Sequence, residues 1–419
     1  MVPAAEAEAK ILSLLTPLEA PGDTEMVALA AAAGRILAQP VTGGLDMPHW
    51  DNSAMDGYAV RHQDVAGASA ACPVALAITE TIPAGKPPTQ PVAPGQAARI
   101  LTGSMMPEGA DTVVMQEVTQ RRDNQVLILE APPPGQFVRH RGSFYRAGQP
   151  LMAAGTALGG PELAVLAAAQ CPQVPVFRRL RVAIVSTGDE LVNPEDPLAP
   201  GQIVDSNQYA LAALVQAAGA EPVRMGIVPD QPDALAAAIQ AARTRADVIL
   251  SSGGVSVGDF DYVDRILTDL GATLHIRSVA VRPGKPLTVA TLPTAAGQPF
   301  PVLYFGLPGN PVSALVSFWR FVEPALRKRS GRAEGWQPQF VEAVTQQSLK
   351  GGGPREIYLW GRLSPQAENP SRYDFALAGG SHSSGNLVNL AGANALAVVP
   401  VGTDMLPQGS VVRVMVVRS

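Results

Sequence analysis

With 419 residues, 47% of them hydrophobic and 16% charged, the chain is an ordered globular protein too long for one core, so about two to four domains are expected. A formal net charge of −5 excludes a general nucleic-acid binder, and an anionic ligand would need a local basic pocket. Cys72 and Cys171 are too few for a disulfide framework or a thiolate metal site, and both read as buried small apolar residues.

The N-terminus, M-V-P-A-A-E-A-E-A-K, carries glutamates where a secretory peptide carries positive charge. No apolar run approaches a membrane span, so a cytoplasmic protein without membrane contact is expected. Residues 5–18 and 24–38 have the periodicity of two amphipathic helices; Ile11, Leu12, Leu14 and Leu15 share a face of the first, and Gly34 lies inside the second. From residue 40 to about 150, short runs at Val74–Thr79, Ala97–Leu101, Thr112–Glu117 and Val126–Leu129 predict a small β domain. A short helix follows over 161–170. From Arg181 the pattern alternates, with strands 181–185, 222–227 and 246–250 and helices 207–218, 232–243 and 261–270. Strands 273–280, 287–292 and 301–305 then precede a helix over 311–328. This alternation predicts a doubly wound, mostly parallel sheet whose ligand sits outside the carboxyl ends of its strands. S-G-R-A-E-G-W-Q-P reads as a linker, and the β runs that follow, ending in Val411–Val417, form a separate small β domain.

Four loops at predicted strand ends carry the chemistry: S-T-G-D-E (186–190), S-S-G-G-V-S-V-G-D-F-D (251–261), R-P-G-K-P (282–286) and G-L-P-G-N-P-V-S (306–313). Glycine lets backbone approach a ligand, and successive N–H groups can point at one anion. Gly253, Gly254 and Ser256 can cradle a phosphate before a helix N-terminus, though a tight strand-to-helix turn needs the same residues. Asp189, Glu190, Asp230, Asp259 and Asp261 can hold Mg²⁺ or orient a ligand, and helix capping accounts equally well for Asp230 and Asp261. Arg282 and Lys285 flank Pro283-Gly284 and suit a tetrahedral oxyanion, with Ser313 as a further donor or a cap. Arg139, His140, Arg141 and Arg146 read as a solvated basic face, and Asp56-Gly57 alone reads as a hairpin turn. The histidines show no metal-ligand spacing.

Together with D-N-S-A-M-D-G-Y-A-V-R (51–61) and R-I-L-T-G-S-M-M-P-E-G-A-D-T-V-V-M-Q-E (99–117), these loops make the chain resemble the molybdopterin molybdenumtransferase family, which includes bacterial MoeA and the E domain of gephyrin. The resemblance implies a multidomain α/β protein with a discontinuous N-terminal domain (1–50 and 147–178), an inserted β domain (51–146), an α/β domain (179–330) and a C-terminal β domain (331–419). It implies a homodimer, and Mg²⁺-dependent insertion of molybdate into adenylated molybdopterin with release of AMP. Molybdopterin adenylyltransferase and molybdoenzyme maturation proteins are the implied partners. By motif position, Asp56, Thr102, Glu190, Asp230 and Asp261 are implied catalytic residues, Glu190 and Asp261 serving Mg²⁺. Arg282, Lys285, Pro286, Ser313, Arg355 and Ser381 are implied at the oxyanion. Asp56 and Thr102 would complete the cleft across the dimer.

Three departures stand against the family pattern. Arg282 replaces a common lysine, and Ser143-Phe144 replaces an acidic pair. In P-R-E-I-Y-L-W-G-R (354–362), Trp360 stands at the place of a second arginine, which implies weaker molybdate capture or an altered substrate choice unless Arg362 compensates. Two alternatives follow: a homologue that only holds cofactor or a partner, and a related adenylyltransferase. The additional domains and G-L-P-G-N-P-V-S oppose the latter.

Overall fold

Runs such as R-V-A-I-V-S-T and V-L-Y-F-G-L are β-branched and aromatic, and they are buried on both faces of a sheet. In the computed structural model, which describes residues 1–254, 260–294 and 300–418 (side chains of 260–262 excepted), they form the centre of a six-stranded sheet. Its strands are β1 (Arg181–Thr187), β2 (Glu221–Val228), β3 (Val248–Ser252), β4 (Thr273–Ser278), β5 (Pro286–Leu292) and β6 (Val302–Leu307). Their order is β2-β1-β3-β6-β5-β4; the first four run parallel, and β5 is antiparallel to both neighbours.

Alternation along each strand divides the core into two layers. Val182, Ile184, Val248, Leu250, Leu303 and Phe305 face one layer, which is closed by helices α1 (Ala4–Ser13), α2 (Asn207–Ala217), α5 (Pro311–Ser317) and α6 (Glu323–Arg329). Ala183, Val185, Ile249 and Tyr304 face the other, under α3 (Pro232–Arg243) and α4 (Phe260–Asp269). The expected helix over 311–328 is α5 and α6 joined by a π-helical segment, Phe318–Val322.

The predicted helix over 24–38 does not form. Thr24–Ala28 is a strand paired antiparallel with Gln173–Phe177, followed by a single 3₁₀ turn at Leu29–Ala31. Ala30, Ala31 and Ala33 are exposed and Ala32 is the buried member of the alanine run, too little apolar surface to hold a helix, and Gly34 turns the chain at φ 71°. Neither cysteine is buried: Cys72 is exposed in a turn and Cys171 is half-buried.

The inserted segment folds as a six-stranded sheet, including Gly57–Val60, Val74–Ile82 and Gln96–Ile100, with separate apolar clusters on its two faces. Asp56-Gly57 is therefore the entry to a central strand rather than a hairpin turn. A Cβ on Gly57 would lie 1.9 Å from the Val114 carbonyl oxygen.

In the C-terminal part, β7 (Phe340–Thr345), β8 (Glu356–Pro365), β9 (Tyr373–Leu377), β10 (Ala395–Val399) and β11 (Val411–Val416) pair in a closed ring. The two-residue strand Val281–Arg282, which enters from the α/β region, adds to this barrel along β8. Tyr358 and Trp360 on β8 belong to the same apolar cluster as the central sheet.

Candidate functional site

Register decides where the loops open. Thr187 at the end of β1 pairs with Val228 at the end of β2, Ser186 with Ser252 on β3, and Ser252 with Leu307 on β6. The loops after these four parallel strands therefore leave one sheet edge side by side. β5 runs the other way, with Thr288 opposite Gly306, so the loop entering it through Lys285 meets the same edge. The described parts of all four sequence-predicted loops thus converge, and the turn at Asp230 joins them.

Specific bonds fix these loops to one another. The Gly188 N–H donates to the Val228 carbonyl (3.3 Å), and the Asp230 N–H donates to Asp189 Oδ1 (3.1 Å). Glu190 is exposed at the loop's end, with its carbonyl taking the Ile203 N–H at 2.8 Å. Gly253, at φ 98°, packs so tightly that a Cβ would meet the Thr187 carbonyl oxygen at 2.1 Å. Asn207 is a residue that the sequence analysis missed. Its Nδ2 donates to Ser252 Oγ (2.6 Å) and to the Gly309 carbonyl (2.8 Å), tying the second loop to the fourth. The available signal was Asp205-Ser206-Asn207, polar capping residues directly before an apolar helix. Ser186 Oγ, Thr187 Oγ1 and Asn207 Oδ1 are buried at this edge without a partner among the described residues. Such atoms are uncommon, and here they mark a polar site.

Ser313 lies in the first turn of α5, and the Arg282–Lys285 loop reaches that helix. Gly284 packs against it, where a Cβ would lie 2.8 Å from Ser317 Oγ and 3.5 Å from the Ser313 carbonyl oxygen. Ser313 is buried, and the neighbouring Val312 N–H donates to the Ser384 carbonyl (3.0 Å). Arg282 lies opposite Ile357, and the Glu356 N–H donates to the Ala280 carbonyl (2.9 Å), so Arg282 and Arg355 flank one parallel ladder. Ser381 lies three residues before Ser384, within about 10 Å of chain. Lys285 and Pro286 enter β5 beside them. Arg362 does not stand in for a cation here: it is exposed, roughly 16 Å along β8 from Ile357. Trp360 is buried in the core.

Asp56 and Thr102 meet each other inside the inserted sheet. The Thr102 N–H and hydroxyl both donate to Asp56 Oδ1 at 2.7 Å, and together they hold the exposed carboxyl below its ordinary value. The polar partners of Asp56, Thr102 and Gln116, belong to that same sheet region. The basic cluster beside it is partly engaged: His140 Nδ1 lies 3.0 Å from Asp51, and Arg141 pairs with Asp46 at 2.6 Å. The first contact joins the two ends of the segment 51–146, and the second joins that segment to Asp46 just before it.

Ser256 and Asp259 lie outside the described residues, as does the side chain of Asp261. Among the described residues no three His, Cys, Asp or Glu side chains cluster as a metal cage. That donor set fits Mg²⁺ only as a cation held by one or two carboxylates together with substrate phosphate.

A cavity of about 630 Å³ lies at the opposite end of the sheet, between the first domain and the starts of the strands. Most of its arginines are engaged: Arg178 with Asp23 and Asp247, Arg327 with Glu323, Arg35 with Glu25 and Arg179 with the Gly219 carbonyl. No helix among the described residues is long and apolar enough to cross a membrane.

Fold and site define an α/β protein with a polar loop cluster at one end of a doubly wound sheet, beside a barrel whose strand β8 follows Arg355. Residues 2–169 match the family described as "MoeA N-terminal region (domain I and II)", 183–328 match "Probable molybdopterin binding domain", and 342–417 match "MoeA C-terminal region (domain IV)". The chain is 57% identical over 405 residues to a molybdopterin molybdenumtransferase of Nostoc sp., covering 97% of this chain and 91% of that one. It is 34% identical over 407 residues to the Bacillus subtilis molybdopterin molybdenumtransferase, covering 95% and 90%. A crystal structure of the Pyrococcus horikoshii molybdopterin biosynthesis moeA protein superposes with a TM-score of 0.83 at 28% identity, over 99% of this chain and 100% of that one. The chain belongs to the molybdopterin molybdenumtransferase family, enzymes of molybdenum cofactor biosynthesis.

Proposed function

We propose that this protein inserts molybdate into adenylated molybdopterin with Mg²⁺ and releases AMP. The observation that carries this reading is the strand register, which brings the Gly253 loop, Glu190, Asp230, the Arg282–Lys285 loop and Ser313 to one edge. Gly253, Gly254 and Ser256 cradle phosphate through backbone and hydroxyl groups. Arg282, Lys285, Pro286, Ser313, Arg355 and Ser381 hold the oxyanion, where cations and N–H or O–H donors offset its charge. Glu190, Asp230 and Asp261 orient the adenylate bond for cleavage. Glu190 and Asp261 would hold Mg²⁺, which neutralises phosphate charge when bound.

Asp56 and Thr102 act from the inserted domain of a second copy, in a cytoplasmic homodimer. The domains run 1–50 with 147–178, 51–146, 179–330 and 331–419. The test is AMP release from adenylated molybdopterin by purified protein, with molybdate and Mg²⁺ varied independently. Release that needs both supports the proposal; substrate binding without any AMP overturns it.

A further inference from the structure

Trp360 stands where the resemblance implies a second arginine, and its surroundings give it a different task. The indole is 1% exposed and donates Nε1–H to Asn389 Oδ1 at 2.9 Å. Asn389 in turn donates Nδ2–H to the carbonyls of Gly379 (2.9 Å) and Ser381 (3.1 Å). Asn386 donates a second side-chain N–H to the Ser381 carbonyl at 2.9 Å. The indole also lies against the His382 ring, with centroids 4.4 Å apart, and His382 Nε2 bonds the Ala378 carbonyl at 2.9 Å. The Ala378 N–H returns to the Trp360 carbonyl at 3.1 Å. At its far end the same loop gives its Ser384 carbonyl to the Val312 N–H, one residue before Ser313.

The loop over 378–384 is therefore held from two sides, by an indole–amide relay in the barrel and by the first turn of α5. An indole supplies no charge to an oxyanion, but a loop that is ordered beforehand loses less freedom when it binds one. We propose that Trp360 and Asn389 are positioning residues for molybdate capture, fixing the 378–384 loop so that Ser381 meets the corner formed by Arg282, Lys285 and Ser313. Preorganisation replaces the direct cationic contact of the family pattern. This inference rests on the function proposed above.

The experiment compares wild type with Asn389→Ala, Trp360→Phe and Trp360→Arg in two assays: AMP release, and amide hydrogen exchange of the substrate-free protein. Asn389→Ala removes three hydrogen bonds, so KM for molybdate rises roughly tenfold while KM for adenylated molybdopterin stays within about twofold. Exchange quickens at 379–384 and Val312 but not across β7 and β11. Trp360→Phe keeps the ring on His382 and loses only the N–H, giving a smaller rise. Trp360→Arg also raises KM for molybdate, because it breaks the relay. A lower molybdate KM in Trp360→Arg overturns the proposal, as does unchanged exchange at 379–384 in Asn389→Ala. Equal shifts in both KM values with exchange rising throughout the barrel would reduce the relay to fold support and equally overturn it. If wild type releases no AMP, the functional reading falls, and the exchange assay still decides whether the relay orders the loop.

Discussion

Gly253 shows how much of the site depends on one missing methyl group. Its φ of 98° and the Thr187 carbonyl oxygen 2.1 Å from an added Cβ leave no room for alanine. Gly253→Ala is expected to destabilise the protein by roughly 3 kcal/mol and to abolish AMP release, read by urea unfolding and turnover. Gly67→Ala, where an added Cβ meets nothing within 4 Å, serves as the control and should be nearly silent. Asp247 illustrates a charge that matters for stability. Burial opposes its ionisation, but the paired Arg178 hydrogen bonds and the Arg181 N–H outweigh burial and hold its carboxyl below its ordinary value. A depressed carboxylate stabilises the fold fully above its unfolded value and loses that contribution as pH falls through the folded one. Asp247→Asn should therefore cost about 3 kcal/mol near neutral pH and flatten the acid limb of the stability curve below about pH 4, measured by denaturant midpoints across pH.

At the scale of elements, the π-helical segment between α5 and α6 connects three parts of the chain. Arg320 is 5% exposed; it forms an ion pair with Glu8 of α1 at 2.7 Å and donates Nε–H to Tyr358 Oη of β8 at 2.9 Å. Tyr358 in turn donates to Glu356, two residues along the strand. Burial and the neighbouring carboxylate push the Tyr358 phenol well above its ordinary value, so it remains a neutral donor. Arg320→Ala leaves Glu8 and Tyr358 without their partner and should cost about 3 kcal/mol, whereas Arg320→Met, which refills the volume, should cost less. Thermal unfolding of both variants checks the order. Equal losses in the two variants would show that the polar network, not the filled volume, joins barrel to sheet.

For the whole molecule, the consequential question is which copy supplies Asp56 and Thr102. In the proposed shared cleft, Asp56→Ala and Glu190→Gln are each inactive alone, yet each keeps the half that the other lacks. Mixing them under subunit exchange should restore about a quarter of wild-type activity, since half the dimers are mixed and each holds one intact site. No recovery after demonstrated exchange would place the whole cleft within one chain.

The sequence alone determined the central architecture, because buried strands and amphipathic helices leave different periods and the glycine-rich loops fall between them. It also placed Gly253, Glu190, Arg282, Lys285 and Ser313 at strand ends. It misplaced residues 24–38, where alanine favours helix but only pairing with Gln173–Phe177 gives the segment a partner. Asn207 escaped notice because D-S-N reads locally as an ordinary helix cap, whereas its bonds to Ser252 and Gly309 span 45 and 102 residues. Only the tertiary structure decided that Val281–Arg282 joins the barrel, placing Arg282 opposite Ile357, two residues beyond Arg355. It also decided that Trp360 lies buried against a loop rather than open to an anion. Local chemistry fixes what each residue can do; contacts distant in sequence fix which residues act together.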